Sequence, residues 1–488
     1  MENIENKSIK LNMLLSATRG MLKVLFPLIS FPYISRVLGV ENLGKYNWAS
    51  SIISYFILLA GLGINGYAVR EGARIRNNRI EFSLFASQVF TINLISTFFS
   101  YIFLFVCLIS IQKLYSLKSI ILILSIQIAF NTIGVEWIYS IFEDYFYITL
   151  RSIIFQILSI IMLFTFIKNE NDIINYAIVS VLSTSGANLI NFVHSKKYCN
   201  LAPTRTIQWK RHIKPILVLF AMSVTVTIYV SSDITLLGFL CDDYTVGIYS
   251  VSTKVYAIAK NILSSVLIVS IPRLSALLGQ NKKREFDSTA SDIYNTLITV
   301  VFPAITGLIV LRKEVVTIIA SHEYFEASSS LAILSVALFF CLGAYFWGQC
   351  ILVPVKRERD VFNVTLVSAF VNMALNILLM PLWKEKAAAF TTIVAEAITF
   401  LWSWIKGKNY VNITGALANF IKVFIGCFSI IIIDKLIRIY VDDVGLLVLL
   451  VIFCSIFAYI LIELLLKNET IFNVLREIKK NKERGRKV

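Results

Sequence analysis

The sequence predicts an all-α polytopic membrane protein of about 14 transmembrane helices, built as two six-helix lobes plus two C-terminal helices. Three observations lead there. Of 488 residues, 57% are hydrophobic and only 16% charged, too few charges to clothe a soluble surface. Apolar runs of about 18 to 25 residues recur along the chain, each long enough to cross the hydrocarbon core as a helix. A weak internal repeat then divides those runs into two sets.

The first run, 11–35, follows the Asn-rich segment MENIENKSIK. It carries Arg19 and Lys23 and has no small-residue cleavage site, so it reads as a retained span and not a signal peptide. Around the second, 44–68, the chain reads LGVENLGKYNWASSIISYF and ends in the basic VREGARIR. Spans at 82–109, 117–141, 147–167 and 173–194 complete a first set of six. The longest connection, basic and running from His194 to Lys214, separates them from a second six at 215–239, 246–271, 289–311, 327–354, 361–382 and 387–405. Two more follow at 416–433 and 445–466. The domain reading is therefore an N-terminal lobe over 1–200, a C-terminal lobe over 201–410, two additional spans over 411–466 and a basic tail over 467–488.

The repeat lies around the second and eighth spans. Gly44 and Tyr46 fall on Gly247 and Tyr249, an offset of 203 residues that also carries Arg70 onto Arg273. Two G-x-Y turns can agree by chance in helical membrane sequence, but the matching basic exits argue against it. Six is an even number, so both lobes enter from the same side, as parallel repeats about an axis along the membrane normal.

A net charge of +16 invites a nucleic-acid partner, yet most of the 46 lysines and arginines fall on alternate connections. Arg70 to Arg79, Arg151, Lys196 to Lys214, Arg273 to Arg284, Lys356 to Arg359 and the tail from Lys467 all lie on one side if the N-terminus is inside. That bias sets topology, with both termini cytoplasmic, and no nucleic-acid partner is expected. The seven cysteines form no CxxC pair, and the three histidines lie far apart in polar connections, so neither a metal nor another cofactor is indicated. There is no G-x-x-x-x-G-K-[ST] phosphate loop, and no long outer loop with paired carboxylates, so ATP hydrolysis and glycosyl transfer are not expected of this chain.

Charges inside spans are the informative residues, because each costs about 2.5 to 3.5 kcal/mol at the membrane centre and so faces a protein interior or a water-filled cavity. Arg19 and Lys23 are four residues apart and share one helix face. Arg19 also lies near enough to the inner end to snorkel; Lys23 does not. With Lys254 they form the candidate set for binding an anionic substrate. Lys260 is open between cavity and structure, and Lys422 reads as snorkelling. The acidic candidates are Glu136, Asp233 and Glu396, open between ion coupling and ion pairing. Asp292 and Glu463 lie near inner ends and need no special role, and Asn372 with Asn376 reads as interhelical glue.

The segments FPLISFPYISRVLGVENLGKYNWASSII, LGINGYAVREGARIRNN, EWIYSIFEDYFYITLRSII, SSDITLLGFL and VGIYSVSTKVY resemble the polysaccharide transporter family. In particular they are similar to its O-antigen flippases, within a superfamily that also holds multidrug exporters and the lipid II flippase. The chain departs where the family often has Gly before Glu: Ile141 and Phe142 precede Glu143 here, which leaves the role of Glu143 open. The resemblance implies two lobes around a central cavity that faces the two sides of the bacterial inner membrane in turn. The implied cargo is an oligosaccharide on undecaprenyl pyrophosphate, in contact with membrane lipids and with the polysaccharide polymerase machinery as a further partner. Arg19 and Lys23 would then meet the pyrophosphate or an acidic sugar. An ion-coupled small-molecule or drug exporter of the same superfamily is the alternative.

Overall fold

The computed structural model describes residues 9–473 and 476, with side chains from Pro27 onward. Among these the chain is helical and has no strand. The helices are α1 (Ile9–Gly61), α2 (Ile64–Ile75), α3 (Arg79–Ser110), the single turn α4 (Gln112–Tyr115), α5 (Lys118–Ile133), α6 (Glu136–Ile141), α7 (Tyr145–Phe166), α8 (Ile173–Val181) and α9 (Ala187–His194). There follow α10 (Trp209–Leu240), α11 (Asp243–Gly279), α12 (Lys283–Val310), α13 (Arg312–Ile319), α14 (Ala327–Tyr345), α15 (Glu358–Gly407), α16 (Ala416–Tyr440) and α17 (Val444–Leu465).

Twelve helical stretches among the described residues are long and apolar enough to cross a membrane. Two helices are double length. α1 has 53 residues and α15 has 50, so at about 1.5 Å per residue each is more than twice the ~30 Å hydrocarbon core. Each breaks near its middle, at Gly39 with φ 72° and at Lys384 with φ 49°. The breaks separate the expected pairs 11–35/44–68 and 361–382/387–405, and the crossings number about 14.

Caps mark the ends that the sequence punctuates. Asn78 accepts from the backbone N–H groups of Ile80 and Glu81 at 3.2 Å and starts α3, and Asp443 accepts from Leu446 N at 2.7 Å and starts α17.

The chain forms two compact units, 1–247 and 248–488. In the first, α1 is the central helix, packed by α3, α5, α7 and α10. Hydroxyl groups stitch part of that packing: Thr235 Oγ1 donates to Ser51 Oγ at 3.0 Å and Ser54 Oγ to Ser231 Oγ at 3.3 Å, joining α10 to α1. In the second unit α14 packs on α15, and α12 joins them to α16 and α17. The last two helices are tied in at two places. Arg438 on α16 donates to Glu314 Oε1 on α13 at 2.6 Å and to both oxygens of Asp434. Asn419 of α16 donates to Asn295 O of α12 at 2.9 Å and accepts from Asn468 at 2.8 Å.

Candidate functional site

Three helices of the first unit break around one space. α1 ends at Gly61, and Leu62 and Gly63 take positive φ before α2 begins. α5 ends at Ile133, and Val135 at φ 35° restarts the chain as α6, so Glu136 opens the new helix. Between α8 and α9 the backbone widens into a π-helical turn over Leu182–Gly186, a feature frequent at functional sites.

Breaking a helix frees carbonyls that lipid cannot satisfy, so side chains must. Asn93 Nδ2 and Ser96 Oγ both donate to Ala60 O, at 2.7 and 2.5 Å. Asn191 Nδ2 donates to Gly134 O at 3.0 Å, and Arg151 Nη1 to Ala187 O at 3.2 Å. Gly134 must be glycine for this arrangement: a Cβ there would stand 2.5 Å from Asn188 Cγ.

The space enclosed is a cavity of about 540 Å³ whose polar lining includes Asn65, Asn93, Asn131, Glu136, Asn188 and Ser223. Arg151 reaches Glu136 from α7, Nη2 to Oε1, at 3.9 Å. The guanidinium side chain is 8% exposed and the carboxylate 37%, so the acid faces the cavity and the base stands behind it. Arg151 Nη1 also approaches Asn188 Oδ1 at 3.4 Å, and Asn188 Nδ2 donates to Asn131 Oδ1 at 3.3 Å. Charge and amide dipoles thus run in one connected line from α7 through α9 to α5.

Of the residues singled out by sequence, Glu136 lies in this cavity. Arg19 and Lys23 lie outside the residues whose side chains are described. Asp233 sits half-buried on α10, in electrostatic contact with the Tyr55 phenol, and does not line the cavity. In the second unit Lys254 is half-buried on α11, and Glu396 is buried on α15 with Lys260 as a neighbouring opposite charge. Asn376 donates to Asn372 at 3.1 Å and Asn372 to Thr391 at 3.4 Å, joining the two halves of α15 across the Lys384 break.

Two sequence-based expectations change, those for Arg151 and His212, and two further residues gain contacts. Arg151 is not a topological charge in a connection: α7 starts at Tyr145, and Arg151, on its second turn, is buried. His212 is not in a polar connection either, because α10 starts at Trp209, ahead of the expected 215, and buries it fully. Its Nε2 meets Gln88 Oε1 and its Nδ1 the Tyr67 hydroxyl, both at 2.7 Å. Glu143, whose role was open, accepts from Arg76 Nη1 at 3.0 Å, so Arg76 also clamps the turn after α6. Glu463 is fully buried and accepts from Asn468 Nδ2 at 2.5 Å.

Comparison with known proteins places this geometry. Residues 9–278 match the family described as Polysaccharide biosynthesis protein. A Putative O-antigen transporter of Escherichia coli (strain K12) is 21% identical over 404 residues, covering 81% of this chain and 96% of that protein. The Capsular polysaccharide biosynthesis protein CapF of Staphylococcus aureus is 23% identical over 374 residues, 74% of this chain and 89% of that one. Among solved structures, a lipid II flippase MurJ in an inward closed conformation aligns with TM-score 0.74 at 17% identity, over 95% of this chain and 100% of that one. An inward-facing multidrug resistance MATE family transporter of the MOP superfamily aligns with TM-score 0.58 at 15% identity, over 81% and 98%. The structural likenesses establish the fold. The family match covers more than half of the sequence and contains every residue of the cavity, so the chain belongs to the Polysaccharide biosynthesis protein family.

Proposed function

We propose that this protein is a flippase that carries an oligosaccharide on undecaprenyl pyrophosphate across the bacterial inner membrane by alternating access. The observation that carries the reading is the family match over 9–278, which encloses a polar cavity at three helix breaks inside an otherwise apolar chain. The relatives named as an O-antigen transporter and a capsular polysaccharide biosynthesis protein support a glycan cargo. The lining supports it too. A drug exporter of organic cations would present unpaired carboxylates, whereas Glu136 faces Arg151.

In this reading the work is transport and not bond-making chemistry. Arg19, Lys23 and Lys254 meet the anionic headgroup, and Asp233 or Glu396 takes part in ion coupling. Both termini lie in the cytoplasm. The test is complementation of a flippase-null strain, scored as surface glycan beside membrane protein level. Display of glycan by the wild-type chain supports the proposal. Normal insertion without glycan in hosts of several repeat-unit types, together with export of cationic dyes, would replace it with the exporter.

A further inference from the structure

We infer that the cavity of the first unit is a sugar subsite: it takes a hydroxyl-rich, uncharged part of the cargo and not the pyrophosphate. The inference rests on the flippase reading and deepens it.

Charge is the first argument. Arg151 has its guanidinium engaged by Ala187 O and Asn188 Oδ1 and stands beside Glu136, so the acid and base cancel at the cavity wall. A phosphate entering the cavity would bring its negative charge toward Glu136, the half of the pair that faces the space. The pair therefore offers a phosphate no net attraction.

Hydrogen-bond chemistry is the second. A phosphate only accepts, but the lining carries amide carbonyl oxygens, those of Asn65 and Asn93, as well as amide N–H groups. Such a mixed wall complements hydroxyl groups, which donate and accept at once. Asn65 and Asn131 are exposed to the space. Asn188, behind Asn131, donates to it and so leaves Asn131 Nδ2 to point a donor at a ligand.

Size and rigidity complete the case. About 540 Å³ falls within the range of pockets that hold a drug-sized molecule, roughly 300 to 1,000 Å³. The amides stand on or beside helix breaks whose carbonyls are already tied down by Asn93, Ser96 and Asn191, so the wall is organised before the sugar arrives.

The experiment uses the full chain in nanodiscs and measures dissociation constants for bare undecaprenyl pyrophosphate and for the same lipid bearing N-acetylglucosamine, glucose or galactose. The wild type is expected to bind at least one sugar-bearing probe about tenfold more tightly than the bare lipid. Asn131→Leu and Asn65→Leu, which keep the branching but replace the amide with methyl groups at cavity-exposed positions, should each erase about tenfold for that probe and leave bare-lipid affinity unchanged. Asn131→Ala guards against a steric effect of leucine. Equal loss for bare and sugar-bearing lipids would make this a headgroup site and overturn the inference. So would bare-lipid binding with no gain from any sugar. Failure of the wild type to bind every probe would take the flippase reading down as well.

Discussion

Arg151 stands 3.9 Å behind Glu136, and the two are carried by α7 and by the first residue after a break in the preceding span. The base is buried and the acid faces the cavity, so the two residues contribute unequally. Removing Arg151 leaves Ala187 O and Asn188 Oδ1 without that donor and strips Glu136 of its counter-charge. Breaking a fully buried pair from one side costs about 3 to 5 kcal/mol, and the exposure of Glu136 to the cavity makes the cost here smaller. Arg151→Ala should therefore lower the melting temperature in detergent and the membrane level of the protein, and Arg151→Lys, which lacks the fork, should recover only part. Glu136→Gln leaves the buried guanidinium without its counter-charge and should also lower the melting temperature. An unchanged melting temperature for Arg151→Ala would show that the pair holds nothing together.

The spans were legible because hydropathy and length are properties of the sequence itself. The breaks at Gly39 and Lys384 fell where polar residues interrupt apolar runs, and the structure holds them there. Arg151 was hidden by the same reasoning that succeeded elsewhere. A cation near a span end normally reports topology, and only its burial and its bonds to Ala187 O and Asn188 Oδ1 show that this one turns inward. A usable signal existed in Asn131 and Glu136 on one span and Asn188 on another, but sequence gives no register between helices. His212 was missed for a simpler reason. Pro215 stands inside α10 and looks like its start, yet the helix runs six residues further toward the N-terminus.

Gly44 and Gly247, equivalent in the repeat, meet at a close helix crossing. A Cβ on Gly44 would stand 1.8 Å from Asp243 O, and one on Gly247 would stand 2.1 Å from Val40 O. Both neighbours are backbone and cannot turn aside. Gly44→Ala and Gly247→Ala should each destabilise by about 1 to 3 kcal/mol, as overpacking does. Gly307 of α12 has nothing within 4 Å of its would-be Cβ, so Gly307→Ala should raise stability by about 0.5 to 1 kcal/mol through helix propensity. Thermal unfolding of the three variants side by side decides it, and equal behaviour would remove the crossing as a constraint.

Glu314 gives the second unit a dependence on acid. Burial pushes its carboxyl up, but the hydrogen bond from Arg438 prevails and holds it below the ordinary glutamate value. A carboxyl depressed in the folded state contributes stability that is fully present above the unfolded value, about 4.3, and is lost as pH falls through the folded one. The melting temperature should therefore drop below about pH 4.5 more steeply for the wild type than for Glu314→Gln, which carries no such titration. At pH 7 Glu314→Gln should be the less stable of the two. Parallel curves over pH 3 to 7 would mean that Arg438 holds α13 by geometry and not by charge.

Arg19 and Lys23 supply the other half of a divided recognition, if sugar and headgroup are read in different places. The two lie one turn apart in α1, in a run otherwise apolar enough to span the membrane, where a cation without a partner is costly. An anionic headgroup would offset that cost, and the charge, not the shape, would be the operative property. Arg19→Gln and Lys23→Gln should each sharply reduce surface glycan in a flippase-null strain while the protein still inserts. Arg19→Lys should keep partial function, losing the bidentate fork that suits phosphate oxygens, and Lys23→Arg should keep it by retaining charge. The division makes a sharper demand in the binding assay. The double Gln variant should lose affinity for bare and sugar-bearing undecaprenyl pyrophosphate alike, whereas Asn131→Leu loses only the sugar-dependent gain. Full glycan display by the double Gln variant would show that neither cation meets the cargo.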